Sequence, residues 1–439
     1  MFYDPLLVGI TAFLVLIFLL AITVPIGVAM MLCGVGGLAM IIGLVPSLSL
    51  FGTTVMQSVV TYDLSIIPLF ILMGALASRS GLSQELYDAF NAWLGGFRGG
   101  LALATVGACG AFAAICGSSV ATAATMSKVA LPEMKKYRYS DSMATGSVAA
   151  GGIIGILIPP SVILVLYGLL TESSIGDLFI AGFLPGILTI VVFMIVISIV
   201  TRLHPESGPA GEKSTWKQKL NATLKTWAIT ALFATVIGGI YFGVFTPTEA
   251  AGVGAFGALF IAFSRKRLNR EMMKETLLET GQTSAMIFTI LIGAITLNNL
   301  VIFSGLANAL ADFVSGLDMS PATVMLIILL MYLIMGCFLD ALAMILLTVP
   351  IFYPIVLDLG YDPIWFGIIV VMVVELGLIT PPIGMNVFVI KGMVQSVPLV
   401  SIYKGVLPFV IGQVVLIIAV FLIPEIALWL PETARAFRY

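Results

Sequence analysis

The sequence predicts an all-α integral membrane fold of two inverted repeats, each with five spans, one re-entrant hairpin and a broken helix. Three observations carry that reading. Of 439 residues, 60% are hydrophobic and only 10% are charged, against about 25% charged in a soluble domain. A double proline, Pro159-Pro160, interrupts one long apolar run, and Pro381-Pro382 interrupts another. All of the 20 Lys and Arg residues except Arg435 and Arg438 fall where one side of a bilayer can hold them.

Composition also excludes. A net charge of -2 removes nucleic acid as an obvious partner, and the lipid bilayer is the partner the apolar runs demand. Cys33, Cys109, Cys116 and Cys337 lie in apolar or Gly-rich runs, with no metal-site or disulfide spacing. The one histidine, His204, sits in a polar loop. An enzyme subunit of a respiratory complex calls for intramembrane lysines or a haem or quinone histidine, and the apolar runs supply neither. No basic stretch precedes the first apolar run, so it reads as a first span and not as a cleaved signal.

In chain order, residues 1–201 form the first repeat. Apolar spans at 5–23 and 25–44 meet at Pro25, 45–60 is mixed, and 61–78 is a third span. An arm at 80–97 follows, with Leu82, Leu86, Phe90 and Trp93 at helical spacing, as in a helix lying along the interface. Residues 98–131 are rich in Gly, Ala, Ser and Thr and read as the hairpin. The broken helix is 142–170, and a span covers 178–201. A polar cytoplasmic linker runs over 202–222.

Residues 223–439 repeat the pattern. Spans at 223–245 and 248–264 meet near Pro247. An arm at 265–281 precedes a span at 282–303, and Asp312 and Asp318 mark a polar patch. The second hairpin is 322–357, the second broken helix 363–391, and the last span 405–430. The duplication shows in matched features at nearly one offset. Pro25 recurs as Pro247, Pro159-Pro160 as Pro381-Pro382, Ile71–Ala75 as Ile290–Ala294, and Ser80-Gly81-Leu82 as Ser304-Gly305-Leu306.

Length favours the hairpins; two full spans at 98–131 are the alternative, and they would keep the same side assignment. A half-helix of ~15 residues rises ~22 Å, too short for a ~30 Å hydrocarbon core. Each half then has an odd number of crossings, and the halves are inverted. Loops at 79–98, 132–141, 202–222, 265–281 and 391–404 become cytoplasmic by the positive-inside rule. Lys391 and Lys404 act there as anchors, while Asp63, Glu172 and Glu249 fall at outer span ends as interface or capping residues.

Chemistry concentrates at the interruptions. A proline has no N–H for the carbonyl four residues back, and its ring clashes there. The carbonyls of Gly155, Ile156, Gly377 and Leu378 therefore lose their helical donors. Bare carbonyls at membrane depth require a protein-lined or wet cavity, and paired helix breaks point to a transporter's binding site. Ser118 and Ser119 follow Gly117 at the first hairpin's turn, where hydroxyls can ligate a hard cation or donate to an anion. Asp340 is the only charge between Asp318 and Asp358, and an intramembrane carboxylate is a functional candidate or a cap for the hairpin's half-helix. Thr122 occupies the corresponding place in the first hairpin. Ser161 and Asn386 follow the two breaks, and Thr380 sits at the second. Glu375, mid-span, reads equally as a cation ligand, a proton carrier or a structural partner. Carbonyls and hydroxyls together suit Na⁺, and half-helix N-termini at the same depth suit an organic anion.

These residues resemble the large membrane subunit of the tripartite ATP-independent periplasmic (TRAP) transporters over nearly the whole chain. The resemblance rests on Gly117-Ser118-Ser119, Gly151-Gly152 through Ile158-Pro159-Pro160-Ser161, Thr171-Glu172-Ser173-Ser174, Thr246-Pro247-Thr248-Glu249, and Pro381-Pro382-Ile383-Gly384-Met385-Asn386. It implies an elevator-type secondary carrier of the bacterial inner membrane, coupled to Na⁺, with dicarboxylates as the family's default substrate. It implies two partners, a small four-helix membrane subunit and a periplasmic substrate-binding protein. Sodium sites then involve Ser118, Ser119, Gly155, Pro159, Asp340, Leu378, Thr380 and Pro382. Thr122, Ser161, Asp340 and Asn386 would face substrate. A stand-alone divalent-anion/Na⁺ symporter of related architecture is the rival reading.

Overall fold

Helix starts in this chain are written in capping side chains. Asp4, Ser140, Ser174, Ser320 and Asp362 each accept a backbone N–H from the first turn they precede, satisfying donors that the helix cannot. Thr246 and Glu249 form a reciprocal capping box with Pro247 at the first helical position, which makes Glu249 the cap expected. A computed structural model describes residues 4–316 and 319–438. Asp318 lies outside them.

The first half contains α1 (Pro5–Ala21), α2 (Ile26–Ile42), α3 (Leu44–Val60), α4 (Ile66–Arg79), α5 (Leu82–Leu94), α6 (Gly100–Cys116), α7 (Ser119–Lys136), α8 (Asp141–Leu157), α9 (Val162–Thr171) and α10 (Ile175–Leu203). The linker holds α11 (Trp216–Lys225). The second half contains α12 (Trp227–Tyr241), α13 (Pro247–Ser264), α14 (Arg270–Ser304), α15 (Leu306–Ser315), α16 (Pro321–Gly336), α17 (Ala341–Asp358), α18 (Pro363–Gly377), α19 (Met385–Met393), α20 (Leu399–Leu422) and α21 (Glu425–Arg438). Seven helical stretches among the described residues are long and apolar enough to cross a membrane.

The broken helices form the centre. α8 is buried from Met143 to Leu157 and α18 from Ile364 to Gly377. Small residues let the helices approach, as membrane helices require. A Cβ on Gly146 would come within 2.4 Å of the Gly405 backbone, and one on Gly27 within 2.8 Å of the Thr289 carbonyl oxygen. α2 thereby lies against α14, and α8 against α20.

The basic loops gather at one end. The Gly99 N–H donates to the Gly208 carbonyl at 2.8 Å and the Ser140 N–H to the Ser207 carbonyl at 3.1 Å. The start of α6 and the end of α7 thus meet the same loop, so the chain over 98–131 turns back on itself. Arg79 joins Glu275 and Glu279, and Arg265 joins Glu85 at 2.6 Å. Lys135 and Val397 share a groove at this end. Asp63 and Glu172 line a different groove with Thr246, and Arg435 reaches Asp177 at 2.7 Å.

Outside the linker, four stretches differ from the sequence reading. Residues 45–60 are helical throughout as α3. The stretches read as an arm (265–281) and a span (282–303) share one unbroken helix, α14, of 35 residues, because no proline separates the amphipathic part from the apolar part. The last span ends at Leu422, since Pro424 cannot continue the ladder, and α21 follows as a separate amphipathic helix. The arm α5 turns Leu82, Leu86 and Tyr87 into the protein, and the Phe90 ring occupies the space at Gly107, 2.6 Å from where a Cβ would stand.

Candidate substrate and cation site

Each hairpin turn rests on a helix break. α6 ends where Gly117 takes φ +61°, a conformation that strains a side chain. A Cβ there would lie 2.5 Å from the Pro160 carbonyl oxygen, so the α6–α7 turn sits against the first double proline. In the second half, a Cβ on Gly377 would lie 2.7 Å from the Gly336 backbone. The Gly384 N–H donates to the Cys337 carbonyl at 3.2 Å. The α16–α17 turn therefore sits against the second break. Both double prolines carry a cis peptide bond.

Between the two turns and helices α4 and α14 lies a cavity of about 390 Å³. Ser118, Ser119, Asp340 and Leu378, four of the predicted cation residues, all line it. Ser118 caps α7, its hydroxyl accepting the Ala121 N–H at 3.3 Å. Asp340 caps α17, accepting the Ala343 N–H at 3.0 Å. The capping reading of Asp340 is thus correct, and one carboxylate oxygen remains for other work. Two half-helices begin at these caps, so their positive ends meet the cavity.

A second polar cluster lies behind the first turn. Thr122 is fully buried, and its hydroxyl lies beside the Cys116 thiol. A Cβ on Gly155 would stand 2.9 Å from both the Thr122 hydroxyl and the Ser118 carbonyl oxygen. Asn386 is fully buried with both amide atoms unpartnered, and its Nδ2 lies 3.3 Å from where a Gly152 Cβ would be. Unpartnered buried polar atoms carry a desolvation cost; both residues pack against α8, and neither is among the residues lining the cavity.

The remaining predicted residues serve the backbone. The buried Ser161 caps α9, accepting the Leu164 N–H at 3.3 Å. Thr380 donates its hydroxyl proton to the Leu376 carbonyl at 2.6 Å. Pro159 is buried in the first break. Pro382 is exposed, and its carbonyl accepts the Tyr403 hydroxyl at 2.8 Å.

The expectation of four bare carbonyls is corrected in the second break. Gly377 accepts the Thr380 N–H and Leu378 the Asn386 N–H, each at 3.1 Å. Seven residues separate α18 from α19, enough for the loop to fold back and supply its own donors. Each carbonyl keeps one lone pair. The four residues of the first break have no such slack.

Three polar cavity residues escaped the sequence reading: Ser78 on α4, and Glu279 and Thr283 on α14. Glu279 also accepts from Arg79 at 2.8 Å. Nothing in the sequence marks it, because it stands in what reads as a surface arm. Glu375 is fully buried in α18, its carboxylate beside the Leu157 backbone.

Apolar spans, two helices interrupted mid-core and a largely apolar cavity carrying a few hydroxyl and carboxylate groups at the interruptions define a multi-pass membrane permease. The architecture is that of a solved transporter, YdaH of Alcanivorax borkumensis, at a TM-score of 0.62 and 15% identity, covering 87% of this chain and 89% of that one. Residues 13–426 match the family model for the tripartite ATP-independent periplasmic transporter, DctM component. The chain is 39% identical to the C4-dicarboxylate TRAP transporter large permease protein DctM of Pseudomonas aeruginosa, over 84% of its length and 86% of the relative's. It is 34% identical to the isethionate TRAP transporter permease protein DctMQ of Oleidesulfovibrio alaskensis, over 85% of its own length and 58% of that longer protein. The chain belongs to the TRAP transporter family, as a large permease of the DctM type.

Proposed function

We propose that this permease imports a small organic anion, a C4-dicarboxylate or a similar carboxylate, driven by Na⁺ moving inward. The observation that carries the reading is the single cavity that gathers Ser118, Ser119, Asp340 and Leu378 from both halves. Its donors are hydroxyl, carbonyl and carboxylate oxygens, the set a hard cation prefers. Ser118, Ser119 and Asp340 would hold sodium, with Gly155, Pro159, Leu378, Thr380 and Pro382 framing the breaks. Sodium supplies the positive charge that lets an anion rest near Asp340. Thr122, Ser161 and Asn386 would contribute polar groups to substrate.

The two tip-on-break contacts recur once in each half, which supports inverted repeats moving as one elevator core against a scaffold. The proposed partners are a small four-helix membrane subunit and a periplasmic substrate-binding protein in the bacterial inner membrane. Family membership argues against a stand-alone symporter. The relatives named for a dicarboxylate and for isethionate both handle compact anions, which favours that substrate class.

The test is uptake of a labelled C4-dicarboxylate into proteoliposomes holding this chain with its membrane and periplasmic partners. An inward Na⁺ gradient should accelerate uptake severalfold. Uptake unchanged when the gradient is removed rejects sodium coupling.

A further inference from the structure

The linker, read from sequence as a plain polar connection, contains a folded helix. α11 starts at a capping box in which Thr215 and Gln218 satisfy each other's backbone N–H groups. It ends at Thr226, and α12 departs at 49° to it. None of α11's residues is buried. Trp216, Leu220 and Leu224 are 71%, 55% and 62% exposed, and at 100° per residue they form one stripe. Lys217 and Lys219 flank that stripe, and Lys225 lies opposite.

Contacts with α5 hold this helix in place. The Trp93 and Trp216 rings meet edge-on at 5.5 Å between centroids. The Trp93 indole N–H donates to the Thr223 hydroxyl at 2.9 Å, and the Lys219 ammonium sits 5.3 Å over the Trp93 ring. The apolar stripe is left open while the helix itself is positioned.

We propose that α11 lies in the plane of the cytoplasmic leaflet and binds anionic lipid headgroups. Three features single out a lipid surface. α11 joins a bilayer helix through one residue, so it stands at membrane height. An apolar stripe opened by a tryptophan and bordered by lysines is the pattern of an in-plane interfacial helix. The helix carries Lys217, Lys219 and Lys225 and no acidic residue, and each lysine near an anionic leaflet adds about 1 kcal/mol of attraction. Snorkelling lysine stems cover the edge of the stripe while their ammonium groups reach phosphate. The linker between the halves then becomes a membrane anchor on the basic side.

The experiment uses the full chain in liposomes containing a low fraction of lipid brominated on its acyl chains. Emission from Trp216 is isolated as the difference between wild type and W216F. Brominated phosphatidylglycerol should quench it more than brominated phosphatidylcholine does, by roughly fivefold per lysine engaged. K217Q/K219Q/K225Q should lose that preference while remaining monodisperse. L220E should reduce quenching by both lipids. Emission untouched by either lipid, or quenched equally by both in wild type, overturns the proposal. Quenching that disappears when the small membrane subunit is added assigns the stripe to a protein interface instead, and also overturns it. Sodium-driven uptake is not the readout, so failure here is distinct from failure of the transport reading.

Discussion

Asp340 has two tasks assigned to one side chain, and two substitutions separate them. Its carboxylate accepts the Ala343 N–H at 3.0 Å as the cap of α17, and the same residue lines the cavity. Asparagine caps nearly as well as aspartate, whereas alanine removes about 1 kcal/mol of capping. Asp340→Asn should therefore match wild-type thermal stability, and Asp340→Ala should fall below both by about 1 °C, because 1 kcal/mol is divided by the large unfolding entropy of a chain this long. A ligating charge behaves differently, because both variants lose it equally. An interaction to a charged group is worth about 1.5–3 kcal/mol, so the sodium concentration giving half-maximal uptake should rise roughly 10- to 100-fold in both. The assay is a Na⁺ titration of dicarboxylate uptake in proteoliposomes, with thermal stability measured on the same preparations. Wild-type sodium dependence in Asp340→Asn would show that the carboxylate only caps the helix, and it would remove Asp340 from the cation site.

Three further outcomes follow from the same geometry. Gly155→Ala places a methyl 2.9 Å from both the Ser118 carbonyl oxygen and the Thr122 hydroxyl, so overpacking of about 1–3 kcal/mol should lower the melting temperature. The displaced turn should weaken sodium dependence as well; wild-type values in both measurements refute the close contact. Thr122→Val removes a buried hydroxyl that lacks an oxygen or nitrogen partner, so stability should hold or rise. The substrate concentration for half-maximal uptake should increase severalfold, and an unchanged value clears Thr122 of substrate contact. Tyr403→Phe frees the carbonyls of Pro382 and Ile383, which share its hydroxyl at 2.8 and 2.6 Å. The cost should be about 1 kcal/mol, with faster hydrogen exchange over residues 384–388; equal exchange denies the tie.

What could be read from the sequence was what local chemistry dictates. A double proline disrupts a helix wherever it stands, so both breaks were legible, and a glycine followed by two serines marked the first turn. Lysine and arginine placement identified the loops that meet through Gly99, Ser140, Gly208 and Ser207, because the bilayer sorts those charges before any packing occurs. Tertiary consequences were not legible. The two breaks share a motif, yet the first is buried under Gly117, while the second lies exposed and strapped by Tyr403 from a different helix. Leu378 loses its helical donor to proline and regains one from Asn386, a bond that depends on a loop of seven residues folding back. Glu279 reaches the cavity only because α14 runs unbroken from the basic end inward. α11 was hidden for the opposite reason. Residues 216–222 read as a polar connection and 223–225 as the start of a span, until Trp93 and the start of α12 fix where they sit. A sequence therefore announces a site of this kind where the backbone is forced to break, and the side chains completing it arrive from helices that only the fold brings near.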